Sequence, residues 1–251
     1  ELRRLRPTRT GLVVLRNRPT TVKVRIIADH QHVVRADWEE SGPLDGRSER
    51  QLRDGFSRLA RSGRLDGVVL SDYDKGVLSD TLLEGLLGTA AAHSVPVFVD
   101  LKRAWVLENR TPIRLLLVNQ HRAEEISGLS LHDPKSLEIV GRHLVARFPC
   151  QTLIITQGSK GMVVIERKGG SGRSRRSGPT VHSYHSVPTK AREVYELTGA
   201  GDTVISTLTL ALLSGAGAIE AATLANLAGH VVVGKLGTAI CTSRELLDCL
   251  S

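Results

Sequence analysis

The chain has 251 residues, 41% of them hydrophobic but only 3% aromatic, and a formal charge of +8. That apolar content suffices for one ordinary core built from Leu, Val, Ile and Ala, which excludes a predominantly disordered chain, and the shortage of aromatics excludes a stacking platform for single-stranded nucleic acid. No nucleic-acid motif accompanies the basic balance, so the charge reads as solvated surface or as attraction for an anionic small molecule. Arginines gather at positions 3, 4, 6, 9, 16 and 18 and again at 173, 175 and 176. Cys150, Cys241 and Cys249 are odd in number and lack metal-type spacing, which predicts reduced thiols. With no apolar signal core at the start and no run of roughly 18 apolar residues, the expectation is a cytoplasmic protein without a membrane anchor.

In chain order, Val22, Val24 and Ile26 alternate with polar neighbours, and after a turn at 29–32 the alternation resumes from Val33 to Trp38. This predicts a β-hairpin with one polar face, a flap over 18–38. Leu52, Phe56 and Leu59 have helical spacing within 49–59. Four short apolar runs, 67–71, 95–99, 115–118 and 152–156, then read as strands buried on both faces. A helix over 80–93, capped by Ser79 or Asp80, lies between the first two. Alternation of strand and helix predicts an α/β fold with a mainly parallel sheet. A further strand is expected at 162–166, and 168–178 has linker composition. Asp72, Asp100 and Asn119 each follow a predicted strand, so they fall on the sheet edge where open α/β folds bind ligands, although each also suits a loop cap.

The most informative segment is Glu196-Leu-Thr-Gly-Ala-Gly-Asp202, followed at once by an apolar helical stretch. A Gly-Ala-Gly turn opening a helix leaves backbone N–H groups unobstructed at the positive end of the helix dipole, an arrangement that binds an anion. Asp202 then lies beside the docked anion, where a base for phosphoryl transfer is needed. A plain helix cap by Thr198 or Asp202 is the alternative.

Gly199, Ala200, Gly201 and Asp202 match the signature of the ribokinase-like (PfkB) sugar kinases, which this chain resembles. Residues 18–25, 69–76, 156–162, 192–205 and 225–238 extend the similarity along nearly the whole sequence, and most resemble the heptose 7-phosphate kinases of lipopolysaccharide precursor synthesis. The resemblance implies a ribokinase-like fold and ATP-dependent transfer of the γ-phosphoryl group to O1 of D-glycero-D-manno-heptose 7-phosphate. Asp202 would be the base and residues 199–201 the anion hole. It implies nucleotide contacts at Asn119, Thr156, Gly158, Gly161, Asn226, Gly234 and Gly237, and sugar-phosphate contacts at Lys23, Arg25, Arg35 and Asp72. Lys75, Asp100 and Lys102 are weaker candidates around the same crevice. The implied cofactors are ATP and Mg2+, with a monovalent cation near residue 196, and the implied partner is a second copy paired through the flap.

The sequence departs from the family pattern at two positions. The Asn-x-x-Glu motif begun by Asn119 has Arg122 in place of the acid, leaving the magnesium ligand unassigned, with Glu124 or Glu125 as substitutes. Glu196 stands where the family has aspartate. The family's opening strand, with a Gly-Asp pair for the sugar hydroxyls, is expected to be missing, as is the nucleotidyltransferase domain of some relatives. Another PfkB sugar or nucleoside kinase, or a non-catalytic nucleotide-binding relative, are the alternative readings.

Overall fold

Helix starts are set by local capping. In the computed structural model, which describes residues 11–28, 31–105, 111–131, 133–167, 181–189, 199–235 and 237–250, α1 (Gly46–Arg61) begins where the Asp45 carboxylate accepts from Ser48 N–H. Ser79, not Asp80, caps α2 (Asp80–Ala92) by accepting from Leu82 N–H. Asn119 caps α3 (Gln120–Ser127), which ends at Gly128 in the left-handed conformation, and α4 (Pro134–Arg147) opens on a capping box between Asp133 and Ser136. Each such cap satisfies backbone donors that the first helical turn cannot.

Before these helices comes the hairpin of β1 (Val22–Ala28) and β2 (Gln31–Trp38). The second strand starts two residues earlier than the sequence suggests, pairing Gln31 with Ala28. Val22, Val24, Ile26, Val34 and Trp38 share one face and are all about half exposed. The opposite face carries Lys23, Arg25, Arg35 and Asp37.

The main sheet is ordered β3 (Val68–Ser71), β4 (Val97–Asp100), β5 (Ile113–Asn119), β6 (Cys150–Thr156), β7 (Met162–Arg167) and β8 (Val181–Val187). The first four strands are parallel, and β7 and β8 extend the sheet antiparallel. Alternate residues of the central strands feed two cores. Val97, Val99, Leu116, Val118, Leu153 and Ile155 pack with α1 to α4, while Phe98, Leu115, Leu117 and Ile154 pack with α5 (Ala200–Leu213) and α6 (Ala218–Val233). Covering both faces is why these strands read as unbroken apolar runs. At β3 the expectation of two-sided burial fails: Val69 is 38% exposed because β3 forms the edge of the sheet. The polar-looking β8 has no counterpart in the sequence reading. A short helix, α7 (Ser243–Asp248), follows α6.

The base of the flap is clipped to the loop after β3. Arg18 donates to the carbonyl oxygens of Gly42, Glu40 and Lys75, Gly42 N–H donates to Lys75 O at 3.2 Å, and Lys75 Nζ reaches Glu39 at 2.6 Å. Gly76 makes this closeness possible, since its φ is +78° and a Cβ there would sit 2.1 Å from the Gly42 oxygen.

No helix among the described residues is long and apolar enough to cross a membrane. Cys150, Cys241 and Cys249 are free thiols, and burial pushes the Cys150 thiol up to about 12. The arginines at 3–9 and 173–176, the linker-like 168–178 and Glu196 lie outside the described residues.

The division between core and surface fixes a stability contrast. Leu116→Ala, at a fully buried central-strand position, should lower the unfolding free energy by about 2–5 kcal/mol. Leu210→Ala, at a helix position 67% exposed, should change it by no more than about 0.5 kcal/mol. Urea unfolding of both variants checks the contrast.

Candidate active site

The carboxyl ends of the parallel strands bring Asp72, Asp100, Asn119 and Thr156 to one edge, and the start of α5 meets them there. Gly199 adopts φ +79° at the N-cap position and, as glycine, has no side chain with which to cap the helix; Thr198, the other cap candidate, lies outside the described residues. Among the described residues the backbone at 199–201 is unobstructed: a Cβ on Gly199 would meet nothing within 4 Å, and one on Gly201 would meet only Lys102 Nζ at 3.7 Å. Lys102 is itself held by Asp100, with Nζ 2.8 Å and 3.0 Å from the two carboxylate oxygens. Burial raises the Asp100 carboxyl above the usual carboxylate range, an effect Lys102 opposes. A lysine ammonium and a helix start therefore converge on one spot.

A cleft of about 810 Å3 runs from this spot between α3, α6 and the turn after β6. Asn119, Thr156, Gly158, Gly161, Asn226, Ala200 and Gly201 line it, together with Asp100, Lys102, Glu124 and His230. Gly158, at φ +58° with open space around its Cβ position, leaves its backbone accessible. Gly161 has a different reason to be glycine, since a side chain there would strike the Val187 carbonyl at 2.1 Å. Asn226 donates to Pro188 O at 2.7 Å and ties α6 to the end of β8. Gly234 and Gly237 do not line the cleft. Gly234 ends α6, with its N–H on His230 O, and Gly237 sits beyond it at φ +77°.

The phase of α3 separates Arg122 from Glu124. The Arg122 guanidinium pairs with Glu125, which also meets His121, a residue at the cleft's lining. Glu124, one turn on from Gln120, faces the cleft and accepts from Gln120 Nε2 and Leu131 N–H. Among the described residues no group of three or more His, Cys, Asp or Glu is placed to hold a metal ion unaided.

Asp202 lies in the first turn of α5, turned away from that cleft toward a second cavity of about 770 Å3 which Gly199 also lines. Its Oδ1 accepts a hydrogen bond of 2.6 Å from the Tyr73 hydroxyl. Desolvation and this carboxylate push the Tyr73 phenol up to about 12. Tyr73 has no signal in the sequence that singles it out, because its partner is 129 residues away.

The loop that carries Tyr73 is braced by Asp72. This carboxylate is 3% exposed and accepts from Asp74 N–H at 2.9 Å and from Trp105 Nε1 at 2.7 Å, with Arg103 Nε at 3.4 Å. The structure thus places Asp72 inside the loop, away from the cleft surface, and places Lys75 on Glu39 at the flap base. On the flap, Lys23 bonds Asp37 at 2.8 Å, which raises its ammonium above the ordinary lysine value, and Arg35 bonds the same carboxylate at 3.0 Å. Arg25 and Arg35 stand directly opposite each other across the two strands.

Comparison with known proteins agrees with this architecture. The chain is 36% identical over 252 residues to the bifunctional protein HldE of Syntrophotalea carbinolica, covering 99% of this chain and 48% of that protein. It is 38% identical over 242 residues to the protein of the same name from Caulobacter vibrioides, covering 96% and 46%. The chain therefore spans about half the length of the curated relatives it matches. Among solved structures, Arabidopsis thaliana ribokinase complexed with ribose and ATP superposes with a TM-score of 0.65 at 15% identity, covering 94% of this chain and 70% of that one. Escherichia coli phosphofructokinase-2 in complex with potassium gives 0.66 at 16% identity, covering 86% and 65%. These likenesses show a ribokinase-like fold. The pfkB family carbohydrate kinase model matches residues 10–245, and the chain accordingly belongs to that family of phosphotransferases acting on a sugar alcohol group.

Proposed function

We propose that this chain is an ATP-dependent sugar kinase that transfers the γ-phosphoryl group to O1 of D-glycero-D-manno-heptose 7-phosphate, a step toward ADP-heptose for lipopolysaccharide. The observation that carries the reading is the position of the 199–201 backbone. It lies between a cleft of nucleotide size and the Asp202 carboxylate. ATP would lie in the cleft with its γ-phosphate at the start of α5, where amide N–H groups and Lys102 face negative charge. Asp202 would take the proton of the acceptor hydroxyl as that oxygen bonds to the γ-phosphorus and the bond to the bridging oxygen breaks, releasing ADP.

Magnesium fits this arrangement. It is usually held by one or two carboxylates plus substrate phosphates, so a complete protein cage is not required. Asp100 and Glu124, the carboxylates lining the cleft, are the residues that would hold it. When bound it would neutralise phosphate charge. The monovalent cation implied near Glu196 falls outside the described residues.

The choice of a phosphorylated sugar rests on the flap. Its polar face gathers Lys23, Arg25 and Arg35, and ammonium and guanidinium groups suit an anionic sugar, whose phosphate would compete with the Asp37 carboxylate that pairs Lys23 and Arg35. The relatives named HldE and the heptose-kinase resemblance of residues 18–25 and 69–76 favour the heptose among such sugars. The reaction is proposed for the cytoplasm. The other face of the flap is apolar and half exposed, and a second copy of the chain is its proposed cover, giving a homodimer.

Asp202→Asn should lower turnover at least about a hundredfold while leaving ATP affinity within about twofold, because the amide keeps the shape but accepts no proton. Steady-state kinetics and calorimetric titration with ATP test this; near-normal turnover would sink the base assignment. Lys23→Ala and Arg35→Ala should each weaken sugar-phosphate binding about tenfold, the worth of one charge-assisted hydrogen bond, with ATP binding little changed. Equal losses for both ligands would remove the flap from the sugar site. Trp38→Asp should shift the chain from dimer to monomer in sedimentation velocity, and an unchanged sedimentation coefficient would argue against pairing through the flap.

A further inference from the structure

We infer that the Tyr73 hydroxyl holds the acceptor's place on Asp202 when no sugar is bound, so that Tyr73 sets the choice between a sugar hydroxyl and water as the group deprotonated. The inference rests on the reading of Asp202 as the base of an ATP-dependent transfer.

The geometry reproduces what an acceptor must do. A hydroxyl 2.6 Å from Oδ1 donates its proton toward the carboxylate, which is the relation that the attacking sugar oxygen has to form with the same group. A carboxylate oxygen has two lone pairs, so it is a sugar hydroxyl approaching Oδ1 along the line that Tyr73 occupies that displaces the tyrosine. The displacement is mechanically easy. Tyr73 is 56% exposed, and its ring is absent from both cores. The loop, in contrast, is fixed: Asp72 is locked by Trp105, Arg103 and Asp74 N–H, and Lys75 is locked by Glu39. The side chain can therefore swing out and return to the same place.

The contact matters because an anion hole with a neighbouring base activates water as readily as a sugar. In that side reaction the water oxygen bonds to the γ-phosphorus, its proton passes to Asp202, and the bond from phosphorus to the bridging oxygen breaks, giving ADP and phosphate. With the Tyr73 phenol on Oδ1 the carboxylate has a donor that is no nucleophile toward the γ-phosphorus. Its elevated phenol keeps the proton across the working range. Among the described residues, Lys102 and Asp100, charged groups near the start of α5, are bonded to each other, and Tyr73 is the neutral donor to Asp202 Oδ1.

The test is Tyr73→Phe, which keeps the ring and deletes the hydroxyl. Hydrolysis of ATP in the absence of sugar should rise about tenfold, the factor one hydrogen bond to a charged group is worth, and KM for the sugar phosphate should fall because no internal donor competes. In Tyr73→Phe/Asp202→Asn the added hydrolysis should vanish. Equal hydrolysis by Tyr73→Phe and the unaltered chain overturns the inference, as does a loss of transfer to sugar without added hydrolysis, which would make Tyr73 a positioning residue for Asp202. Added hydrolysis that survives Asp202→Asn overturns it too, since the tyrosine would then act on something else. Failure of the underlying reading looks different: Asp202→Asn alone would still phosphorylate the sugar.

Discussion

A helix that starts on glycine gains no cap from that residue's own side chain, and the strand ends and the cleft are arranged around its first amides at the start of α5. The parallel strands end there, so their polar terminal residues are delivered to the same edge. Lys102 adds a cation within reach of Gly201, while Asp100, too buried to remain a lone charge comfortably, is stabilised by that same lysine.

The second organising contact is the buried carboxylate of Asp72. A charged group at 3% exposure is tolerable only when its lone pairs are taken up, and here an indole, a guanidinium and a backbone amide do so. The result is a fixed loop between the foot of the flap at Glu39 to Gly42 and the Asp202 carboxylate. Rigid support beneath a short polar segment is what fixes the orientation of the Tyr73 hydroxyl.

Much of this was legible in the sequence, and the reasons for success and failure are physical. Strands covered on both faces announce themselves as apolar runs, so β4, β5 and β6 could be placed to within a few residues. The Gly-Ala-Gly-Asp turn could be read because its chemistry is local. Strand β8 was missed because Val181-His-Ser-Tyr-His-Ser-Val187 is mostly polar, with the Tyr184 ring and Val187 packed inward. The exposure of Val69 was missed because edge position is a property of the whole sheet. Asp72 looked like a ligand from its place after a strand, and only tertiary packing brings Trp105 onto it from 33 residues away. The side-chain pairing on α3 was readable in principle: once Asn119 is the cap, helical phase pairs 120 with 124 and 122 with 125.

Cys150 begins the strand that ends at Thr156, and its thiol is buried with its proton held up to about 12. A thiolate, not a thiol, reacts with alkylating agents and disulfides, so this sulfur is silent while the sheet is closed. Cys241 and Cys249, partly exposed near the end of the chain, are the ones a reagent meets first. The three sulfurs thus form a graded chemical clock: slow labelling at Cys150 reports opening of the central sheet itself, whereas modification of the other two leaves the strand that carries Thr156 undisturbed.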